Sequence, residues 1–401
     1  MKQSVRRWSL GGLRDGFRLY SRVAAEAKSP GEIIYDVFGQ SKGKRRIFRR
    51  NLICDWETLQ NLPRTGRSTD ETTRAFAPFV PQFSLNGNVW NARRNVLKRA
   101  FGAQYVIRVK AIQPTIELRA GSIDLYEPIF EACFEIAFEY VFGRRATDAE
   151  RAAMLSGMWD VNRYIKRQTF KIDMAARHRA FRASLELTAA SPEGFIFGDS
   201  EEFYALTEVD RASIVASDLI FSSSVQPADL ACHMLLVRAS HPDMFDRFTL
   251  DECLNETLRL YPLSDIYARV PTADEPGWIA SLVQLNRNGW SNPDRFDPGR
   301  WNRPGHPPNM SWGVEARRCP ASEIGVSIAK TVFQAVVANP RTAITFAEDF
   351  RHERTFPYGI PALVTNPSDG QVRFKMPHKF TGIARRWVFE RKRMLEQREL
   401  W

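Results

Sequence analysis

The chain lacks a cysteine framework, a long apolar run and any internal repeat, and each shortage removes a class of protein. Its five cysteines, Cys54, Cys133, Cys232, Cys253 and Cys319, are scattered along 401 residues. They form no paired scaffold, which fits a reducing compartment, and a cytoplasmic location is expected. The longest apolar segments are interrupted by charge. Met1 to Arg18 is polar and arginine-bearing, so it reads as neither a signal peptide nor a membrane anchor. No block is of low complexity. No zinc finger or RNA-stacking module is present, so the formal charge of +11, from 57 basic and 46 acidic residues, does not by itself argue for nucleic acid. It favours acidic partners in general. With 44% hydrophobic residues the chain can bury a sizeable core.

What is present centres on the stretch from Ser311 to Ala321, a turn of small and charged residues that holds Cys319. An apolar helical run, Ser322 to Val337, follows directly. A cysteine there meets the N–H groups and positive dipole end of a helix, which lower a thiol's pKa, and Arg317 and Arg318 add positive charge. Such a thiolate can act as a nucleophile, a zinc ligand or the axial ligand of a haem iron. No second cysteine or histidine lies nearby at metal-ligand spacing, which argues against zinc.

In chain order, Ile33 to Phe38 and Arg45 to Leu52 flank a glycine-containing turn and read as a hairpin. Asp55 reads as the N-cap of a short helix ending near Pro63. Residues 65 to 86 read as a long loop, with Phe76, Phe79 and Phe83 either core or ligand contacts. Gly87 to Phe101 is expected as a helix carrying Arg93, Arg94, Lys98 and Arg99, either a solvated basic face or one that reaches the carboxylates of a cofactor or partner. Helices follow to Phe142, the last apolar nearly all round, and a pair rich in Arg and Met spans 148 to 190. Arg163, Lys166 and Arg167 there read as a solvated face, or as contacts to an anionic substrate.

Arg211 to Ser240 reads as one long helix kinked around Ser222 to Pro227. His233 within it is expected to be a core residue. Thr249 reads as the N-cap of a helix holding Glu256 and Arg259, three residues apart on one face. Strand and loop follow Pro262, leading through Pro293-Asp294-Arg295-Phe296 to the cysteine turn. Short strands are expected near Thr342 to Phe346 and Val372 to Phe374.

These weak signals occur in one order: W-x-x-x-R (Trp90, Arg94), E-x-x-R (Glu256, Arg259), Pro293 to Phe296, and the cysteine turn. Over residues 30 to 375 the chain resembles the cytochrome P450 family of haem-thiolate monooxygenases. The resemblance implies a mainly α fold with a small β region, with haem b between the long distal helix and the helix after the cysteine. It makes 1–376 a single catalytic domain and 377–401 a basic helical extension. It implies Cys319 as the metal's axial thiolate, and Trp90, Arg94, Arg269 and Arg317 as partners of the haem propionates. Trp312 stands where the family has the phenylalanine that shields the sulfur. Glu256, Arg259 and Arg295 become a buried charge cluster.

The turn departs from the family's F-x-x-G-x-R-x-C-x-G, since Trp312, Glu315 and Ala321 replace the phenylalanine and the two glycines. In the distal helix the family's acid–alcohol pair falls on Val225 and Gln226 or, with an offset of one residue, on Gln226 and Pro227; neither register holds an acid and an alcohol, so proton delivery is expected to be non-standard. Gln226, Ser223 and Ser224 are the candidates for holding water there. The implied activity is oxidation of a small organic molecule, in specialised metabolism by analogy. Dioxygen and electrons from a ferredoxin or flavodoxin-type partner would drive it. Peroxide-driven chemistry, a reaction without oxygen insertion, and a non-catalytic haem-binding accessory protein are the alternatives.

Overall fold

The structure, a computed structural model, describes residues 14–15, 18–19, 21–22, 30–39, 41–47, 50–62, 75–118, 120–165, 171–264, 266–269, 277–313, 318–344 and 361–364. They form two compact units. The first gathers the described residues up to Leu62 and those from Phe248 to Arg318; the second holds 75–247, 319–344 and 361–364. The extension at 377–401 and the strand at Val372 to Phe374 lie outside the described residues.

Ile33 to Phe38, expected as a strand, belongs to helix α1 (Pro30–Phe38). Its apolar residues recur at helical spacing, and Ile34 and Phe38 pack on Ile47, Leu52 and Cys54. That shared core outweighs the β-propensity of isoleucine and valine. The hairpin is instead β1 (Lys44–Ile47) against β2 (Arg50–Ile53). Asp55 caps α2 (Trp56–Gln60) by accepting from the Thr58 N–H, as expected. Helices α3 (Gly87–Ala100) and α4 (Ala103–Ala111), then strand β3 (Gly121–Asp124), lead to α5 (Tyr126–Phe142). Phe130, Phe134, Phe138 and Phe142 of α5 are fully buried, which makes it a central helix of the second unit. Helices α6 (Asp148–Ile165) and α7 (Met174–Ala190) pack together as the expected pair.

Short helices α8 (Glu201–Tyr204) and α9 (Glu208–Ser213) precede the long helix. That helix opens with a π-helical turn, Ile214–Phe221, and continues as α10 (Ser222–Ser240) with Pro227 inside it. The irregularity thus sits one turn before the expected kink. After α11 (Pro242–Arg247) comes α12 (Leu250–Leu260), entered through a complete capping box between Thr249 and Glu252. Strands β4 (Ile266–Arg269) and β5 (Trp278–Ser281) follow. A further helix, α13 (Leu282–Arg287), stands where strand and loop are expected; it is capped by Ser281, which accepts from the Gln284 N–H. Helix α14 (Ser322–Val337) matches the expected apolar run, and strands β6 (Thr342–Ile344) and β7 (Pro361–Val364) complete the described chain.

In the first unit the strands order β1-β2-β5-β4, with β2 and β5 parallel and the other pairings antiparallel. In the second, β7 lies antiparallel between β3 and β6. Helices α10 and α14 of the second unit pack on each other, close enough that a Cβ at Gly325 would stand 4.0 Å from the Pro227 ring. Among the described residues no helix is long and apolar enough to cross a membrane.

The Thr249 cap sets where α12 starts, and that helix carries Glu256 and Arg259. Thr249→Ala is expected to lower unfolding free energy by about 1 kcal/mol, and Thr249→Asn to restore most of it, in urea denaturation. Equal stability of all three proteins would deny the cap its role.

Candidate functional site

The five cysteines are not equivalent. Cys54, Cys133, Cys232 and Cys253 are fully buried, whereas Cys319 is only half-buried. Burial pushes the thiol of Cys54 up to about 11, that of Cys253 to about 12, and that of Cys133 well above the usual range. Those three are protonated at neutral pH and inert. Cys319 stands three residues before α14, whose N-cap, Ala321, offers no side-chain cap. An alanine has no side-chain acceptor for the first N–H groups of a helix. Among the described residues, no three His, Cys, Asp or Glu side chains gather to hold a metal ion.

Val314 to Arg317 lie outside the described residues, so Glu315 and the candidate propionate partner Arg317 have no place in this geometry. Trp312 ends a short 3-10 turn in the first unit and is half-buried. Gly313 follows with φ 75° and ψ −170°, a conformation glycine alone adopts readily. A glycine turn thus stands two residues before the position where the family has its own. Arg269 ends β4 in the same unit, and its side chain lies outside the described residues.

In the second unit, α3 presents Trp90 and Arg94 one turn apart, both half-buried, with the Arg94 guanidinium 5.8 Å from the centre of the Trp90 ring. An aromatic ring under a guanidinium helps to orient it. Lys98 and Arg99 are exposed, as a basic face requires. Arg93 is not part of that face. It is fully buried, with Nη2 2.8 Å from Asp218 Oδ2 in the π-helical turn. A charge on an otherwise basic helix looks solvated in sequence; only its partner, 125 residues away, reveals it as interior.

Helix α10 is buried on every side from Ser223 to Val237, except at Gln226. Gln226 and Ser222, one turn apart, are half-buried. Interiors pack closely, so a break in the burial of a central helix marks space beside it. Ser224 does not face that space with a free proton: its hydroxyl donates to the Ile220 carbonyl at 2.6 Å. Ser222 likewise donates to the Ser217 carbonyl at 2.8 Å. Ser223 is buried, and so is His233, as expected of a core histidine. Phe76 and Phe79 are buried too, Phe76 edge-on to Phe83 at 5.2 Å and to Phe221 at 5.5 Å. Arg163 lies over the Trp159 ring at 5.6 Å, while Lys166 and Arg167 lie outside the described residues.

In the first unit Glu256 and Arg259 are both fully buried and joined by two hydrogen bonds of 2.8 and 2.9 Å. The third charge is Arg300, not Arg295. Arg300 Nε stands 3.0 Å from Glu256 Oε1, whereas the Arg295 side chain is exposed and only its carbonyl takes part. The Asp297 N–H and the Trp301 indole N–H complete the shell around the carboxylate. The sequence contains proline-x-arginine-aromatic twice, at Pro293 to Phe296 and at Pro298 to Trp301. The second copy supplies the partners, and spacing alone does not choose between them. Removing one member of a buried charge cluster strands the others, so Arg300→Ala is expected to cost about 3–5 kcal/mol. Arg295→Ala, on the surface, is expected to cost less than about 0.5 kcal/mol. Guanidinium denaturation of the two variants decides; equal losses would return Arg295 to the cluster.

No protein-family model and no curated protein matches this sequence. Solved structures do match it. CalO2 aligns at 18% identity and TM-score 0.62, over 84% of this chain and 95% of its own. CYP154A1 from Streptomyces coelicolor A3(2) aligns at 14% identity and TM-score 0.60, over 79% and 91%. P450BioI, solved in complex with an acyl carrier protein ligated to hexadec-9Z-enoic acid, aligns at 13% and 0.58, over 86% and 99%. At such identities the likeness is one of fold, and the fold of this chain is that of the cytochromes P450.

Proposed function

We propose that the chain is a haem-thiolate oxidoreductase acting on a small organic molecule, with Cys319 as the axial ligand of haem b. The carrying observation is that Cys319 alone among five cysteines escapes full burial, at the entry to α14, in a P450 fold. The residues present fit the group. Space beside Ser222 and Gln226 on α10, half-burial of Gly325 on α14, and the Trp90–Arg94 pair all belong to the unit that holds Cys319. Bound there, haem supplies oxidation chemistry driven by dioxygen and external electrons.

The chain's own residues do the rest. Arg94 binds a propionate through charge-assisted hydrogen bonds, with Trp90 beneath it. Arg269 and Arg317 are assigned to the propionates by resemblance, and Trp312 to the sulfur's apolar shield. Val225 and Gln226 stand where the acid–alcohol pair of the family would be. Gln226 has no proton to give at ordinary pH, but it both donates and accepts, so it orders water in the distal space. Ser223 is the second candidate for that work. Ser224 supports it less, because its proton is already committed to Ile220. Lys98 and Arg99 offer exposed positive charge to an acidic ferredoxin or flavodoxin-type donor, speeding encounter.

Reduced under carbon monoxide, haem-loaded protein is expected to show the strongly red-shifted Soret band of a thiolate-bound haem. Cys319→Ser is expected to lose that band and Cys253→Ala to keep it. A protein that stays colourless when supplied with haem, or a band unchanged in Cys319→Ser, would overturn the assignment. Turnover with peroxide and no reductase would identify the peroxide-driven alternative, and a bound haem without turnover under either regime the accessory role.

A further inference from the structure

The buried ion pair of Arg93 and Asp218 has no part in the reading above, yet it links two elements of the candidate site within one unit. Asp218 lies in the π-helical turn, four residues before Ser222 and eight before Gln226, and residues four apart share a helix face. Its Oδ1 accepts the Gln82 N–H at 2.9 Å and its Oδ2 accepts Arg93 Nη2 at 2.8 Å. Arg93 Nη1 also lies 3.6 Å from Asp210. Gln82 Nε2 donates to the Trp90 carbonyl at 2.8 Å. One carboxylate therefore gathers the loop before α3, α3 itself, and the turn that leads into α10.

A π-turn is the poorer hydrogen-bonding register and relaxes to α-helix unless something holds it. Here the holding contacts are visible. Asp218 is drawn to Arg93 and Gln82, while the Ser222 hydroxyl reaches back five residues to the Ser217 carbonyl. The Ser217 hydroxyl binds the Ser213 carbonyl at 2.7 Å. Each residue of α-helix turns the chain by about 100°, so losing the extra residue would swing Ser222 and Gln226 off their present face. Buried ion pairs return little net stability, because desolvating both charges offsets their attraction. Burial indeed pushes the Asp218 carboxyl above its ordinary range even beside Arg93. A costly pair at an irregular turn, one helix turn from the distal window, fits a directing role better than a stabilising one.

We infer that Arg93 and Asp218 are a positioning pair: by holding the π-helical turn against α3, they fix the direction in which Ser222 and Gln226 face the distal space. The inference rests on the reading of this chain as a haem-thiolate protein. It concerns two buried residues bonded to each other and to the Gln82 backbone, and their proposed effect runs through α10.

The test uses the full chain loaded with haem, titrated with imidazole and followed by absorbance. Asp218→Asn is expected to change the imidazole Kd on the order of tenfold. The double variant Arg93→Met with Asp218→Leu replaces the pair by apolar groups of similar size, so it is expected to keep the parent melting temperature while shifting Kd by a similar factor. Arg93→Lys, which retains the charge, is expected to stay within about threefold of the parent. Native-state hydrogen exchange of the amides from Ile214 to Phe221 should quicken on the order of tenfold in Asp218→Asn and in the double variant. If Asp218→Asn does not fold, the double variant carries the decision. An imidazole Kd within about twofold of the parent in the folded variants would overturn the pairing role. If the parent shows no haem-thiolate band, the reading of the site has failed, and the exchange measurement alone judges the pair: unchanged protection of the turn rejects it.

Discussion

A carboxylate with no access to water survives only if its lone pairs are met, and among the described residues Glu256 imposes that condition most widely. Arg259 grips it with two nitrogens, Arg300 with one, and the Asp297 amide and the Trp301 indole fill the remaining directions. The same guanidinium groups then reach outward. Arg259 binds the carbonyls of Pro293 and Arg295, and Arg300 those of Ser291, Asn292 and Arg295. The Trp290 ring lies beside both cations, 5.0 Å from Arg300 and 5.8 Å from Arg259. A loop with few backbone partners of its own is thereby fixed to α12. Further along, Ser311 donates to the Leu258 carbonyl and Asn309 to that of Asn255. The segment approaching the cysteine turn is thus tied to the same helix at several points.

The second unit holds a different buried pair. Arg93 and Asp218 also leave water together, but they meet at a helix irregularity rather than around a loop. The two pairs illustrate two uses of one expense. Around Glu256 the hydrogen-bond shell is filled, and the gain is a single conformation for a segment whose regular structure is one short 3-10 helix, Pro298–Asn302. At Asp218 the gain is a register of the helix that the backbone alone would not choose. The chemistry of the proposed site is left to residues of the second unit that are half-open: Cys319, Trp90, Arg94, Ser222 and Gln226. Four cysteines closed into the interior lack the accessible thiol that such chemistry needs, and burial keeps protons on Cys54, Cys133 and Cys253.

Much of this is legible in the residues alone. Caps are local chemistry, so Asp55 and Thr249 announce their helices, and the apolar period of Ser322 to Val337 gives α14 to the residue. The Glu256–Arg259 pair follows from three-residue spacing on a helix, and the isolation of Cys319 from other ligands is plain from spacing. Other features escape such a reading for definite reasons. Ile33 to Phe38 carries β-branched residues whose helical spacing competes with their propensity, and the packing of Ile34 and Phe38 tips the balance to helix. Proline draws attention to residues 222–227 as a kink, yet the disturbed register lies at 214–221, where nothing in the residue types marks it.

Residue order dictates whatever depends on neighbours along the chain: helix starts, the central apolar helices, the thiol placed before a helix, and the absence of an acid–alcohol pair at Val225 and Gln226. Folding alone settles which of two proline-x-arginine-aromatic runs supplies the third charge on Glu256, and that Arg93 points inward rather than to solvent. Both questions concern which partner a guanidinium finds across a long stretch of chain. A buried charge is placed by the group that compensates its lost hydration, and that group is brought near by packing in three dimensions, not by proximity in sequence.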